Sequence, residues 1–201
     1  MIKRECMRNF DYSLDIPKSL EKELRNAKYI GQGHNGIIFM LSDKKIVKFF
    51  RKITAWEDES DILRRVHRSK FFPEIYESGP KYIIREYVDG VRLDKYLANN
   101  PLNNRICEEL YDMLKEFKKL NFTRLDIRCK DLFVQKDYSI RIIDPKNNYK
   151  KIVPYPRHLM KGLENREALD YFFKYVEKKS LRDYIYWKYK FDNYKEEIKE
   201  K

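Results

Sequence analysis

The sequence predicts an α+β protein of two lobes. Residues 1–87 contain mainly short apolar runs of strand length, whereas residues 88–201 contain mainly apolar residues at helical spacing. Strands and helices that are segregated along a chain favour an α+β arrangement over an alternating α/β sheet. The chain has 201 residues, 42% of them hydrophobic and 15% aromatic, which is enough for one sizeable domain or two small lobes.

The first part of the chain is predicted to contain one short helix, a longer helix and five strands. Leu20 and Leu24 lie at helical spacing behind Pro17, which predicts the short helix within residues 17–28. The longer helix is predicted over 55–66, and the strands are predicted over 27–30, 37–41, 45–50, 75–77 and 82–87. Turn-forming residues at 42–44 and 78–80 separate two pairs of these strands.

Helices dominate the predictions for the second part. Residues 104–120 have the clearest helical pattern, with one apolar face formed by Ile106, Leu110, Leu114, Phe117 and Leu120. A short helix is predicted before it over 93–97, and two short strands are predicted after it over 132–135 and 140–143. The remainder is predicted to be helical and holds ten aromatic residues between Tyr171 and Tyr194. Tyr171, Phe172, Tyr175 and Val176 are at helical spacing and are expected to pack against the lobe, and residues 184–191 are expected to form a helix that covers the core, with lysines on the solvent side.

Charge and cysteine content indicate the cellular compartment and the possible classes of partner, but they do not indicate a function. The 44 basic and 32 acidic residues give a net charge of +12, which admits nucleic acid, anionic membranes and phosphorylated ligands as partners. No apolar run approaches the roughly 20 residues of a membrane span, and the N-terminus lacks the apolar stretch of a secretory signal. Cys6, Cys107 and Cys129 lack metal-ligand spacing. We therefore expect a cytoplasmic protein without a membrane span.

A glycine-rich segment between two predicted strands is the sharpest local motif. Gly31, Gly33 and Gly36, with Ile38 two residues further on, fit the pattern GxGxxGxV with Ile in the last place. Glycines permit a tight turn that brings backbone amides close to phosphates. A Rossmann fingerprint would open a helix, whereas strands are predicted on both sides here. By itself, the motif fits an ordinary hairpin with three glycines equally well.

A strand lysine and a helix glutamate follow in order. Lys48 ends an apolar strand twelve residues after Gly36, and Glu59 lies eleven residues further on in the predicted helix. Glu57 is a nearby competitor, and the spacing favours Glu59. A glycine loop, a strand lysine and a helix glutamate in this order are much rarer than any one of them. Together they resemble the protein-kinase-like superfamily.

The second part of the chain resembles the same superfamily in the same order. Residues 85–97 resemble the hinge and the first helix of the second lobe. Asp126 matches the Asp of the catalytic-loop pattern H-R-D-x-x-x-x-N, with Asp131 in the place of Asn, and Asp144 matches the Asp of the metal-binding DFG segment. The resemblance spans roughly residues 28–146. It implies an N-lobe over 1–87, made of an antiparallel β-sheet with one helix, and a shortened, mainly α-helical C-lobe over 88–201.

The resemblance implies ATP and Mg²⁺ as cofactors of a phosphoryl transfer. Lys48, oriented by Glu59 through an ion pair, would hold the α and β phosphates. Backbone amides of the glycine loop would cover the phosphates, and the hinge backbone would read the adenine edge. The positions matched to nucleotide binding are Gly31, Gly33, His34, Asn35, Gly36, Ile38, Lys48, Glu86 and Val88.

The resemblance also implies roles at the catalytic loop. Asp126 would accept or orient the proton of the substrate hydroxyl, and Arg128 would contact the transferred phosphate. Asp131 and Asp144 would bind Mg²⁺, which prefers oxygen ligands. Arg124 and Leu125 replace the His-Arg pair before Asp126, so control by a phosphorylated activation loop is not expected. Pro145 and Lys146 replace Phe and Gly, so the switch driven by that Phe is not expected either.

The acceptor is the part of the function on which the sequence leaves alternatives. Only 57 residues follow Asp144, which resembles minimal kinases such as the RIO and lipopolysaccharide-kinase branches and small bacterial Ser/Thr-kinase-like proteins. We expect a protein Ser/Thr hydroxyl first and a small molecule of sugar type second. An ATP-binding pseudokinase and a basic nucleic-acid module are the alternatives, the latter because residues 145–201 hold 15 basic and 9 acidic residues. Nucleic acid is less favoured, and part of this charge is expected to face an acidic substrate or partner.

Overall fold

The computed structural model describes residues 14–42, 44–145 and 148–199, and its strands and helices are segregated along the chain. It combines an antiparallel sheet with several helices, which agrees with the predicted α+β class and is compatible with a kinase-like fold. The described chain forms two compact units: one runs through Arg68 and includes Phe72–Val88, and the other consists of Ser69–Phe71 and the residues from Asp89 onward. Cys6 with the N-terminal segment, Asp43 and Lys146 lie outside the described residues.

In the first unit, the described residues form one five-stranded antiparallel sheet in the spatial order β1-β2-β3-β5-β4. The strands are Lys28–Gln32 (β1), Gly36–Met40 (β2), Lys45–Phe50 (β3), Ile75–Gly79 (β4) and Tyr82–Glu86 (β5). Helix α1, Lys18–Leu24, precedes the sheet, and helix α2, Ile53–Arg65, connects β3 to β4. The predicted helices and strands of this part are confirmed, and most of their ends agree within about two residues.

An aromatic ladder crosses this sheet and explains its register. Tyr29, Phe39, Phe49 and Tyr82 lie on four neighbouring strands, with centroid separations of 5.9, 6.3 and 6.2 Å between successive rings. Cross-strand aromatic pairs stabilise a sheet beyond the area that they bury. Leu20 of α1 packs into the same apolar cluster, which fixes the short helix on this face.

The second unit has a small sheet and a set of helices. In the described chain its sheet is antiparallel, in the order β6-β7-β8, with strands Val91–Arg92 (β6), Leu132–Val134 (β7) and Ile140–Ile142 (β8). The helices are Leu93–Asn99 (α3), Asn104–Lys119 (α4), Arg157–Glu164 (α5), Leu169–Lys179 (α6) and Leu181–Lys199 (α7). Strand β6 was not predicted, because two residues are too few to show an alternating pattern.

Some of the aromatic residues between Tyr171 and Tyr194 are buried in the core of this unit, and others are exposed. Trp187 of α7 is 1% exposed and packs edge-on against Tyr111 of α4, with 6.0 Å between the ring centroids. Tyr111 Oη also donates to Asp183 at 2.9 Å, so a hydrogen bond accompanies the packing. The predicted packing is therefore confirmed for Trp187 and for Phe172, which is fully buried. It is wrong for Tyr171, which is 43% exposed.

Gly162 lets helix α5 approach the turn at Cys129 closely. A Cβ at position 162 would lie 2.4 Å from Cys129 Sγ, which is buried. Alanine in a helix interior ordinarily stabilises by about 1 kcal/mol relative to glycine. Here we expect Gly162→Ala to lower the free energy of unfolding by about 1–3 kcal/mol, because the buried sulfur must move. Urea denaturation measures the change.

The matched background for this prediction is Cys129→Ala, which removes the sulfur. In that background Gly162→Ala should cost less than about 0.5 kcal/mol or should stabilise. An equal cost in both backgrounds would show that the contact between position 162 and the sulfur is not the cause.

Two observations bear on the expected setting of the protein. Cys107 and Cys129 are buried free thiols, and burial raises the pKa of each to about 12, so both are protonated and unreactive at neutral pH. Among the helices that the structure describes, none has the length and apolar character needed to cross a membrane.

Candidate functional site

The glycine-rich segment is the hairpin that joins β1 to β2. The amide of Gly33 donates to the carbonyl oxygen of Gly36 at 2.9 Å and closes the turn. A Cβ at Gly31 or Gly33 would meet no heavy atom within 4 Å, so open space lies beside this backbone. A Cβ at Gly36 would lie 1.9 Å from the carbonyl oxygen of Phe49, so this glycine lets β2 pair closely with β3. The hairpin thus leaves room for a ligand beside Gly31 and Gly33.

Arg51 holds the tip of this hairpin, and sequence reasoning missed it. Its amide donates to the carbonyl oxygen of Asn35 at 2.9 Å, and its guanidinium contacts the carbonyl oxygen of His34 at 3.5 Å and Oε1 of Gln32 at 3.4 Å. His34 is exposed at the tip. Arg51 directly follows β3 and belongs to no recognised pattern, so nothing in the sequence marked it.

Lys48 and Glu59 form a buried ion pair. Lys48 lies in the middle of β3, opposite Ile38 of β2 and Ile83 of β5, and Glu59 lies on α2. Lys48 Nζ is 2.5 Å from Glu59 Oε2, and the two residues are only 7% and 3% exposed. Glu57, the competing candidate, is exposed. The pair fixes one ammonium group in a dry position on the sheet.

The end of β5 presents the backbone that was predicted to read adenine. The amide of Glu86 donates to the carbonyl oxygen of Glu74 at 2.8 Å, and the carbonyl oxygen of Glu86 accepts from Arg85 Nη1 at 3.1 Å. A carbonyl oxygen has two lone pairs, so this contact is compatible with a second donor. Val88 is buried.

In the second unit, the loop before Asp126 is fastened to a later segment of the chain. The amide of Leu125 donates to the carbonyl oxygen of Val153 at 2.8 Å, and the amide of Val153 donates to Thr123 at 2.9 Å. The amide of Arg124 donates to the carbonyl oxygen of Asn148 at 3.1 Å. These backbone bonds fix the path of the chain immediately before the aspartate.

The Asp126 carboxylate is buried and is bound through both oxygens to His158. Asp126 is 4% exposed. Its Oδ1 accepts from the backbone amide of His158 at 2.6 Å, and its Oδ2 contacts Nδ1 of the same imidazole. Arg124 Nη2 lies 3.9 Å from Oδ2. Nothing in the sequence indicates this contact, since the two residues are 32 positions apart and His158 belongs to no motif.

Arg128, Asp131 and Asp144 form the charged group that follows. Arg128 donates to both oxygens of Asp131, at 2.6 and 2.9 Å. This hydrogen-bonded pair raises the pKa of Arg128, and the charges of Asp144 and Asp126 raise it further. The amide of Ile143 donates to the carbonyl oxygen of Asp131 at 3.2 Å, which brings the backbone before Asp144 next to Asp131.

The carboxylates of Asp131 and Asp144 could bind Mg²⁺ only together with other oxygen ligands. Within the described residues, no group of three or more His, Cys, Asp or Glu side chains has the arrangement of a metal site. Mg²⁺ usually takes one or two carboxylates together with waters and substrate phosphates. A carboxylate also offers about four lone-pair sites, so Asp131 can accept from Arg128 and bind a cation at once. Asp131 and Asp144 therefore have the donor chemistry that Mg²⁺ uses beside a phosphate ligand, and their binding of the ion is a prediction.

The structure divides the predicted site residues between the two units. The glycine hairpin, Ile38, Lys48, Glu59, Glu86 and Val88 belong to the first unit, and Asp126, Arg128, Asp131 and Asp144 belong to the second. The contacts described above join Lys48 to Glu59 and Arg128 to Asp131. The chemical role of each residue remains a prediction.

Comparison with known proteins supports a kinase-like relationship, although no family model matches the chain. The chain is 26% identical over 121 residues to a Bacillus subtilis (strain 168) protein named "Putative serine/threonine-protein kinase YrzF", which covers 57% of this chain and 56% of that protein. It is 28% identical over 116 residues to "Serine/threonine-protein kinase cds1" of Schizosaccharomyces pombe, which covers 54% of this chain and 24% of that protein. The chain thus spans about half the length of the first relative and about a quarter of the second.

Proposed function

We propose that this protein is an ATP-dependent phosphotransferase that moves the γ-phosphate to a hydroxyl group, with Ser or Thr of a protein as the preferred acceptor. The buried ion pair between Lys48 and Glu59 carries the proposal. Burying two charges costs on the order of several kcal/mol per ion unless good pair geometry and further hydrogen bonds compensate, so a buried pair of this kind invites a functional explanation. An ammonium held dry and oriented on a sheet is suited to bind phosphate oxygens, and the similarity to two proteins named as kinases agrees with that use.

The first unit supplies the groups for the nucleotide. Lys48 would bind the α and β phosphates, and Glu59 would keep its ammonium in one orientation. Backbone amides near Gly31 and Gly33 would approach the phosphates through the open space beside them, with Arg51 holding the tip of the hairpin. Since phosphoryl transfer depends mainly on positioning and charge stabilisation, these fixed donors are the appropriate machinery.

The second unit supplies the groups for the acceptor. Asp126 would take the proton of the substrate hydroxyl while the hydroxyl oxygen bonds to the γ-phosphorus and the bond from the γ-phosphorus to the β-γ bridging oxygen breaks, releasing ADP. Asp131 and Asp144 would hold Mg²⁺, which neutralises charge on the phosphate oxygens when bound. Arg128 would place a permanent positive charge beside these carboxylates and would contact the transferred phosphate.

A cytoplasmic setting belongs to the same proposal. Cys107 and Cys129 are free thiols, which suits the reducing compartment where ATP is abundant.

Incubation with γ-labelled ATP and Mg²⁺ tests the proposal. Purified protein is mixed in parallel with a protein lysate and with a metabolite extract, and labelled proteins are separated from labelled small molecules. We expect label in proteins with the wild type and none with Asp126→Ala. Label only in small molecules would reassign the acceptor to the second class. Binding of Mg-ATP without transfer to any acceptor or to the protein itself would make it a pseudokinase.

A further inference from the structure

A groove between α4 and α6 is lined by residues that the proposed function does not use. Its volume is about 550 Å³, and it lies wholly within the second unit. Tyr171, Lys174, Tyr175 and Lys178 of α6 form one wall, and Arg105 is on the wall formed by the start of α4. None of these positions matches a kinase motif.

The α6 wall is a second face of an amphipathic helix. Positions 171, 174, 175 and 178 have the spacing of neighbours on one face of a helix. Phe172 and Val176, on another face, are fully buried in the core. The helix therefore holds the fold with one face and presents tyrosine rings and lysines to the groove with the other.

The lining carries excess positive charge. The lining includes four cations, Arg105, Lys174, Lys178 and Lys179, and one carboxylate, that of Glu108. Arg105 is already occupied, since its guanidinium lies 3.1 Å from Glu108 and 3.5 Å from Glu109. Lys179 Nζ lies 5.5 Å from the centre of the Tyr175 ring. Among the described residues, no carboxylate forms an ion pair with Lys174 or Lys178. Two ammonium groups thus remain for an anionic ligand.

We propose that this groove binds an acidic segment of the protein substrate. Carboxylates of the segment would contact Lys174 and Lys178, and an aromatic or aliphatic side chain would lie on the rings of Tyr171 and Tyr175. Tyrosine supplies large contact area at small entropic cost and is enriched at interfaces. The inference rests on the proposed function, because it takes the acceptor to be a protein.

The observations favour a peptide over a nucleic acid. Single strands need a positive surface that follows the backbone over many phosphates. The groove is short, and α6 also exposes Asp170 and Glu177, which would repel a phosphate backbone that continued along the helix. A short acidic segment needs only the two lysines and the rings.

Direct binding tests this site without requiring catalysis. The probe is a short fluorescein-labelled peptide of alternating glutamate and tyrosine, and binding to the full chain is followed by fluorescence polarisation. We expect Lys174→Glu/Lys178→Glu to weaken binding at least about tenfold. The matched control is Lys136→Glu/Lys161→Glu, which reverses two exposed lysines of the same unit outside the groove. It should change affinity by less than about twofold, and thermal melting should show that both variants fold.

Three outcomes would overturn the proposal. If both variants weakened binding equally, the effect would come from net charge and not from the groove. If the wild type did not bind the peptide, the groove would not be a site for acidic segments. Tighter binding of a labelled single-stranded oligonucleotide, lost with the groove variant, would make the groove a nucleic-acid surface.

Where phosphotransfer is observed, the groove variant should raise KM for an acceptor fused to the acidic segment at unchanged kcat. Peptide binding by a protein without phosphotransfer would sink the proposed function and leave the groove standing as an acidic-peptide site.

Discussion

Replacing Asp126 with Asn is expected to lower the rate of phosphoryl transfer by about 10²–10⁴-fold, the usual contribution of a positioned base. The amide is isosteric with the carboxylate, and its oxygen still accepts from the backbone amide of His158, so the loop keeps its shape. The affinity for ATP should stay within about twofold, because the proposed phosphate contacts come from other residues. Single-turnover transfer and ATP binding by calorimetry measure the two quantities separately.

Two companion variants sharpen this prediction. Asp137→Asn changes an exposed aspartate in the same unit and should leave the rate unaltered. His158→Ala removes the imidazole from Oδ2 but keeps the backbone donor to Oδ1, so we expect an intermediate loss of about tenfold from poorer orientation. A full rate in the Asn variant would exclude Asp126 as the base. A parallel loss of ATP binding would point to a damaged fold.

Lys48→Met is expected to lower the free energy of unfolding by about 3–5 kcal/mol, a large share of the stability of a small domain. The reason is that the Glu59 carboxylate stays buried after its lysine partner is lost. Replacing both residues, as Lys48→Met/Glu59→Leu, should recover most of the loss, because apolar groups of similar volume need no counter-charge. Urea denaturation followed by circular dichroism gives the three values.

An exposed ion pair on the same helix is the control for this experiment. Asp61 lies 3.0 Å from Arg65, and both side chains are 56% exposed. Asp61→Asn should therefore change stability by less than about 0.5 kcal/mol. A double variant less stable than Lys48→Met would show that burial of an unpaired charge is not the source of the effect.

The fold was predictable wherever one segment carries its own signal. The five strands of the first sheet and the apolar face of α4 follow periods that local sequence displays, and the structure contains these elements. Strand β6 was not predicted, because its two residues form a strand through pairing with β7 and show no periodic pattern of their own. Tyr171 was misplaced because spacing shows that a residue is on a helix face without showing which face meets the core.

The same distinction applies to the candidate site: residues at motif positions were predictable, and residues defined by contacts between distant segments were not. The glycines, Lys48, Glu59 and the three aspartates occupy positions of a known pattern, so order and spacing sufficed to select them. Arg51 and His158 act through contacts between distant segments, and their residue types are common on any surface. The pairing of Arg128 with Asp131 was also missed, although the two are three positions apart, because spacing does not show where side chains point at the short 3₁₀ turn Cys129–Asp131.

The bond between Asp126 and His158 has a consequence for how the protein is made. The last residue of the recognised pattern is Asp144, yet the backbone amide bonded to Oδ1 of Asp126 and the imidazole in contact with its Oδ2 both belong to residue 158. A nascent chain that has just emerged through Asp144 therefore carries every matched residue while the aspartate still lacks its final orientation. These two contacts form only after the first turn of α5 has been made, so the Asp126 carboxylate reaches its observed environment late in synthesis.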